Sequence, residues 1–126
     1  MITVVGIGAD GMAGLALPSI QQLRSARIVY GSPRQLGLLD DTVTAERREW
    51  TSPMLGMVQT LRDIRDDVHV LASGDPMLHG VGAVLHELVG PDRVTILPHV
   101  SCVTLACARL GWSVQHTEII SLMRHT

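Results

Sequence analysis

The residues best suited to chemistry lie in one stretch, Leu71–Gly82, which combines glycines, a proline, an aspartate and a histidine. Gly74 permits backbone angles and a close ligand approach that a Cβ would block, and Pro76 stiffens the loop. An apolar run precedes the stretch, and apolar residues at helical spacing follow it: Val81, Val84, Leu85, Leu88 and Val89. This spacing predicts a strand, a glycine-rich turn and a helix, and open α/β sheets bind ligands where such strands end. A plain strand-to-helix turn can carry the same Gly-Asp-Pro tripeptide, so the stretch needs support from the rest of the chain.

The composition bounds the class of protein. The chain has 126 residues, a net charge of −2, 46% hydrophobic residues and 17% charged residues. This length suits one domain, and the low positive charge disfavours nucleic acid as a partner. No apolar run is long enough to span a membrane and no signal-peptide sequence begins the chain, so we expect a cytoplasmic protein without membrane association. Cys102 and Cys107 would lie about 140° apart around one helix and the histidines are scattered, so we predict reduced thiols and no metal site.

Strand and helix patterns alternate along the chain, which is typical of an α/β fold. Apolar and β-branched runs predict strands at Ile2–Ile7, Arg27–Tyr30, Val68–Ala72, Val94–Leu97 and Thr117–Leu122. Helices are predicted between the strands, and the charged segment through Arg47, Arg48 and Glu49 is predicted to be irregular. We therefore expect a five-stranded, mostly parallel sheet with helices on both faces. Residues 2–7 should lie inside this sheet, with residues 117–122 beside them at an edge.

A second glycine-rich loop follows the first strand, where Gly6, Gly8 and Gly11 form a Gly-x-Gly-x-x-Gly sequence. In dinucleotide-binding domains the helix opens at the third glycine, and an acidic residue ends the second strand. Here the first-turn proline of the helix is Pro18, and Gly31-Ser32-Pro33 ends the second strand. A nucleotide-binding oxidoreductase domain is therefore the weaker interpretation of this loop.

Three predicted ligand loops thus follow strands: Gly6–Gly11, Gly74–Gly82 and Pro98–Cys102. Together they resemble the loops of the tetrapyrrole methylases, the S-adenosylmethionine (SAM) enzymes of cobalamin and sirohaem synthesis. The family sequences are Val-Gly-x-Gly-Pro-Gly, Gly-Asp-Pro-x-x-x-Gly and Pro-Gly-(Ile/Val)-(Ser/Thr)-(Ser/Ala). The segment Tyr30–Leu36 is similar to the Gly-x-x-Arg-x-Leu of the decarboxylating cobalamin branch of the family. The likeness runs along the whole chain.

The resemblance implies methyl transfer from SAM to a ring carbon of a precorrin, a tetrapyrrole of cobalamin biosynthesis, without a protein nucleophile or a metal. By carry-over from the family, the SAM contacts would be Gly8, Ala9, Gly74, Asp75, Pro76, His79, Ser101 and Cys102. His79 fits equally well as a cap of the helix that follows it. Arg34 would pair with a substrate carboxylate, and a structural salt bridge explains this arginine equally well.

The chain departs from the family in two loops and in length. Ala9 and Asp10 stand where the family has proline and glycine, and His99 stands where it has glycine, so the contacts of the first loop should differ. The family places a second α/β domain after this one, with donor and substrate between the two domains. We therefore expect residues 1–126 to be an N-terminal tetrapyrrole-methylase domain that self-associates, as a homo-oligomer, or needs its C-terminal domain. Whether a decarboxylating methyltransferase domain is fused downstream is left open.

Two further interpretations stay open. The chain could be another methylase of this fold, of the uroporphyrinogen III, diphthine or ribosomal RNA type, although the Gly31–Leu36 segment favours a precorrin enzyme. It could also be a non-catalytic fragment or assembly module, because half of the expected site is missing.

Overall fold

Strands and helices alternate in the computed structural model, which describes residues 1–49, 54–64, 66–74, 81–100, 102–113 and 115. Within this part of the chain the strands are β1 (Ile2–Ile7), β2 (Ile28–Gly31), β3 (Glu46–Glu49), β4 (Val68–Ser73) and β5 (Val94–Leu97). The α-helices are α1 (Leu17–Ser25), α2 (Pro33–Leu36), α3 (Met54–Asp63), α4 (Val81–Val89) and α5 (Cys102–Leu110), and a 3-10 helix spans Gly11–Gly14. None of the described helices has the length and apolar character needed to cross a membrane.

The strands form one parallel sheet in the order β3-β2-β4-β1-β5. β1 is interior, as predicted, because β4 pairs with one side of it and β5 with the other. Ile2 is in register with Val68 of β4 and Val94 of β5. Since the strands are parallel, the loops that follow them leave from the same edge of the sheet. The predicted five-stranded α/β architecture is confirmed.

Helices cover both faces of this sheet. On one face, residues of α3 and α4 pack on a buried cluster that includes Val4, Leu61, Val70 and Leu85. On the other face, residues of α1 and α2 pack on a second cluster that includes Val5, Leu23, Leu36 and Leu71. Side chains of a strand alternate between the two faces, so β1 contributes to both clusters and all six of its residues are buried.

One strand was not predicted. Glu46–Glu49, expected to be irregular, pairs with β2 as the edge strand β3, and all four of its residues are exposed. Four consecutive charged residues show no apolar alternation, and only the backbone pairing with β2 defines the strand. Charged side chains are common on edge strands because they oppose pairing with another sheet. The predicted strand at residues 117–122 lies outside the described residues. Its expected place beside β1 is wrong, because β4 and β5 occupy both sides of β1.

The helices lie where they were predicted, but some of the side chains expected in the core are exposed. α4 spans Val81–Val89, as predicted, and buries Val81 and Leu85. Leu88, which was expected on the same apolar stripe, is instead 46% exposed. On α5 the spacing of Val103, Ala106, Cys107 and Leu110 predicts one apolar face, but of these four residues only Cys107 is buried. α5 therefore presents apolar side chains that the described part of the chain does not cover.

Candidate functional site

The candidate site lies at the edge of the sheet where β1 and β4 end. A cavity of about 270 Å³ opens there. Gly8 and Ala9, which follow β1, and Gly74, which follows β4, line the cavity together with Arg34 of α2 and with Val100. Val100 belongs to the segment that follows β5. Four segments that are distant in sequence thus meet where open α/β sheets bind their ligands.

Gly74 is held in place by its backbone. Its φ angle is +64°, in the left-handed region that favours glycine. Its N–H group donates a hydrogen bond to the carbonyl oxygen of Ile7 at 2.8 Å. This bond fastens the start of the loop after β4 to the end of β1, so that both segments border the same cavity.

The loop after β1 and the segment after β5, which both depart from the family sequences, come together at Gly8. A Cβ atom on Gly8 would lie 2.9 Å from Oδ1 of Asp10 and 3.0 Å from Nε2 of His99. The Asp10 carboxylate also covers Gly14, where a Cβ atom would collide with it. The side chains of Asp10 and His99, the two residues that depart from the glycines expected in these loops, therefore both border Gly8. The sequence indicates that the first loop differs from the family pattern, but not that Asp10 and His99 both border Gly8.

A polar side of the cavity is formed by Arg34, Gln35 and Ser73. The Gln35 side-chain amide donates a hydrogen bond from Nε2 to Oγ of Ser73 at 2.8 Å. Its Oε1 accepts from the Ser32 N–H at 2.9 Å, and the Gln35 N–H donates to Oγ of Ser32 at 3.2 Å, which completes a capping box at the start of α2. Sequence analysis did not single out Gln35, although the Ser-x-x-Gln spacing is a signal for this cap.

Arg34 has its charge available for a ligand. Its side chain lines the cavity, and it makes no ion pair or hydrogen bond with any residue in the described part of the chain. The salt-bridge alternative for Arg34 is therefore without support among these residues. Leu38, Val100 and Leu105 add apolar surface to the same cavity. A guanidinium beside apolar surface can bind a ligand that combines a carboxylate with apolar groups.

Of the remaining predicted contacts, only Cys102 lies among the described residues. Asp75, Pro76, His79 and Ser101 lie outside the described residues, and Cys102 is the first residue of α5. The predicted convergence of the two loops that contain them stays a prediction. Gly74 directly precedes Asp75, and Val100 directly precedes Ser101. Both Gly74 and Val100 line the same cavity, which supports that prediction.

The sequence matches a known protein family over almost its whole length. Residues 1–125 match the model of the Tetrapyrrole (Corrin/Porphyrin) Methylases. The chain belongs to the tetrapyrrole methylase family. Over 123 residues it is 64% identical to the precorrin-6Y C(5,15)-methyltransferase (decarboxylating) of Mycobacterium tuberculosis, and the match covers 98% of this chain and 32% of that protein. The chain thus spans about a third of the length of this curated relative.

Solved structures of methylases share the fold. The precorrin-6Y methylase of Archaeoglobus fulgidus, a cobalamin biosynthesis protein, aligns with a TM-score of 0.74 and 28% identity over 90% of this chain and 59% of its own. The uroporphyrin-III C-methyltransferase of Thermus thermophilus, solved with S-adenosylhomocysteine, aligns with a TM-score of 0.61 and 23% identity over 83% of this chain and 50% of its own. The oxidoreductase interpretation of the first glycine loop is therefore not retained.

Proposed function

We propose that this chain is the N-terminal, donor-binding part of an enzyme that transfers a methyl group from SAM to a ring carbon of a precorrin in cobalamin biosynthesis. The observation that carries the proposal is the cavity shared by the ends of β1 and β4 and the segment after β5. It lies at the ligand edge of a tetrapyrrole methylase sheet. We infer a precorrin as the substrate from the name of the relative that is 64% identical, a precorrin-6Y methyltransferase.

The donor side of the site would be made largely of backbone. Gly8, Ala9 and Gly74 line the cavity, and the lack of a Cβ at Gly74 lets its main-chain groups approach a ligand closely. At Gly8 the corresponding space is filled by the side chains of Asp10 and His99. Asp75, Pro76, His79, Ser101 and Cys102 would continue this wall. SAM, once bound, supplies a methyl group that its sulfonium has already activated. The task left to these residues is to hold donor and acceptor in line, which can lower a barrier by up to about 7–11 kcal/mol.

The substrate side would be formed by Arg34 and the apolar residues near it. Precorrins carry several carboxylate side chains, and a guanidinium can bind a carboxylate through two parallel hydrogen bonds. Leu38 and Leu105 line the same cavity and offer apolar contact to the macrocycle. This arrangement would hold one edge of the substrate by charge and its ring by apolar contact.

The site needs a second wall, which we assign to a C-terminal domain beyond residue 126. The cavity of about 270 Å³ lies below the range of about 300–1,000 Å³ that is usual for small-molecule sites. Leu105, which lines the cavity, is 44% exposed, and Leu110 and Trp112, at and just beyond the end of the same helix, are 59% and 61% exposed. An apolar surface of this kind usually marks an interface. In the isolated chain it would favour self-association, and in the longer protein it would face the C-terminal domain.

Calorimetric titration with SAM and with S-adenosylhomocysteine tests this function. For the 126-residue chain we expect binding weaker than micromolar and no methylation of precorrin, because one wall leaves much of the ligand in water. A polypeptide that continues past Thr126 should bind at least about tenfold more tightly, a gain of about 1.4 kcal/mol. Micromolar binding by a monomer of residues 1–126 would contradict the need for a second wall. Failure of both polypeptides to bind would contradict the donor site itself.

A further inference from the structure

We infer that Gln35 is a positioning residue that couples the substrate side of the cavity to its donor side. The inference rests on the proposed function, because Arg34 and Gly74 are assigned there to substrate and donor. Gln35 lies next to Arg34 in the chain and is hydrogen-bonded to Ser73, which directly precedes Gly74. One side chain therefore joins the segments that carry the two proposed contacts.

Both ends of the Gln35 amide are engaged in this link. Oε1 accepts from the Ser32 N–H at 2.9 Å, which fixes the amide at the start of α2. Nε2 donates to Ser73 Oγ at 2.8 Å, across 38 positions of sequence. Gly31 makes room for this arrangement, since a Cβ there would lie 3.3 Å from Oε1 of Gln35. With both ends held, the amide cannot rotate without breaking a hydrogen bond.

The link continues from Ser73 into β1. The Gly74 N–H donates to the Ile7 carbonyl oxygen at 2.8 Å, and Ile7 directly precedes Gly8. One hydrogen bond thus connects α2 to the end of β4, and a second connects the residue after β4 to the end of β1. A displacement of the loop after β4 by a bound donor would therefore be transmitted to α2 and to Arg34.

The position of Ser73 argues for a role in the site rather than in the core. Ser73 is exposed and lines the cavity together with Gln35. The neighbouring residues on both faces of β4, Leu71 and Ala72, are buried and hold the strand without it. The hydroxyl of Ser73 is thus not needed to form the strand, and its described partner is the side chain that fixes α2.

The test compares three serine variants of this chain by amide chemical shifts during titration with S-adenosylhomocysteine. Ser73→Ala removes the acceptor, Ser73→Thr keeps a hydroxyl on a residue suited to a strand, and Ser25→Ala removes an exposed hydroxyl at the end of α1 as a matched control. In the wild type, the ligand should shift the amides of Gly74 and also those of Arg34 and Gln35. Ser73→Ala should keep the shift at Gly74, lose the shift at Arg34 and Gln35, and weaken binding about twofold to tenfold.

The possible outcomes distinguish the coupling role of Gln35 from the proposed function. Wild-type behaviour in Ser73→Thr and Ser25→Ala, together with the loss in Ser73→Ala, supports the coupling role of Gln35. Full transmission to Arg34 in Ser73→Ala would overturn that role and leave the proposed function standing. If the ligand shifts none of these amides at millimolar concentration, either in this chain or in a polypeptide that continues past Thr126, both the coupling role and the proposed function are overturned.

Discussion

Three residues on one face of β4 show how differently the two ends of the sheet use polar side chains. His69 lies at the amino-terminal end, Leu71 in the middle and Ser73 at the carboxyl-terminal end. His69 is 8% exposed and its Nε2–H donates to Oε1 of Gln22, on a helix that covers it. Ser73 is exposed and binds Gln35 at the rim of the cavity. A polar residue at the first end is enclosed by the fold, whereas at the second end it stays accessible to a ligand.

The amino-terminal end carries a polar row that crosses three strands. The register places Thr3 of β1 beside His69 of β4 and beside Thr95 of β5. These residues, with Gln22 and Arg27, border a cleft of about 390 Å³ that is larger than the cavity at the other edge. Size alone does not identify the ligand site, because Gly8, Gly74 and Arg34, which has no ion-pair partner among the described residues, lie at the carboxyl-terminal edge.

The largest expected effect on the free energy of unfolding comes from Leu71, in the middle of this face of β4. Leu71 is 0% exposed within the cluster under α1 and α2. Leu71→Ala should lower the free energy of unfolding by about 2–5 kcal/mol, because it removes buried methyl groups and leaves a cavity. Urea unfolding measures this loss, with Leu71→Met as the volume-conserving control, which should cost less than about 1.5 kcal/mol. A loss below about 1 kcal/mol for Leu71→Ala would mean that this part of the face is not packed as described.

A smaller, pH-dependent effect is expected from His69. Burial lowers the pKa of His69 below its usual value of 6.5, and the charge of Asp67 opposes this shift. The folded state thus favours the neutral imidazole, whereas the unfolded chain takes up a proton below about pH 6.5. The free energy of unfolding should therefore fall as the pH drops below 6.5, until the pH reaches the lower pKa of the folded state.

Urea unfolding between pH 7.5 and 5 measures this dependence on His69. His69→Gln cannot titrate in this range and should flatten the curve, while His86→Gln, which changes an exposed histidine of α4, should keep the wild-type slope. An unchanged slope in His69→Gln would show that His69 is not enclosed in its neutral form.

The smallest effect on stability is expected at the open end of the strand. Ser73→Ala should change the free energy of unfolding by less than about 0.5 kcal/mol, because the residue is exposed and its loss leaves no cavity. Thermal unfolding of Leu71→Ala, His69→Gln and Ser73→Ala in one buffer would rank the three positions of the strand. A loss in Ser73→Ala as large as that in Leu71→Ala would contradict the contrast between the open and enclosed ends.

The sequence predicted the parts of the fold that local patterns determine. β4 and α4 were placed within one residue of their ends, because an apolar run and a helical stripe mark them. β3 was missed, since its four charged residues form a strand only by pairing with β2. The exposure of Leu88 on α4 and of Leu110 on α5 could not be read from spacing either. Helical spacing defines a face but not what lies against it.

The candidate site likewise has a part that local sequence patterns predicted and a part that depends on contacts between distant segments. Its glycines were predicted because each follows a predicted strand, and Arg34 was predicted through the family resemblance. Gln35 was not, because its bond to Ser73 joins residues 38 positions apart and requires the order of the strands. The position of both Asp10 and His99 beside Gly8 likewise requires that the first and last loops leave the same edge of the sheet.

The carboxyl-terminal edge of the sheet, and not the larger polar cleft at the other end, is the proposed binding site of the methyl donor. Amide shift mapping of this chain with millimolar S-adenosylhomocysteine tests it most directly. We expect shifts at Gly8, Ala9, Gly74 and Val100, which line the cavity, and none at Thr3, His69 or Thr95. Shifts confined to Thr3, His69 and Thr95 would place the ligand in the amino-terminal cleft and contradict the account.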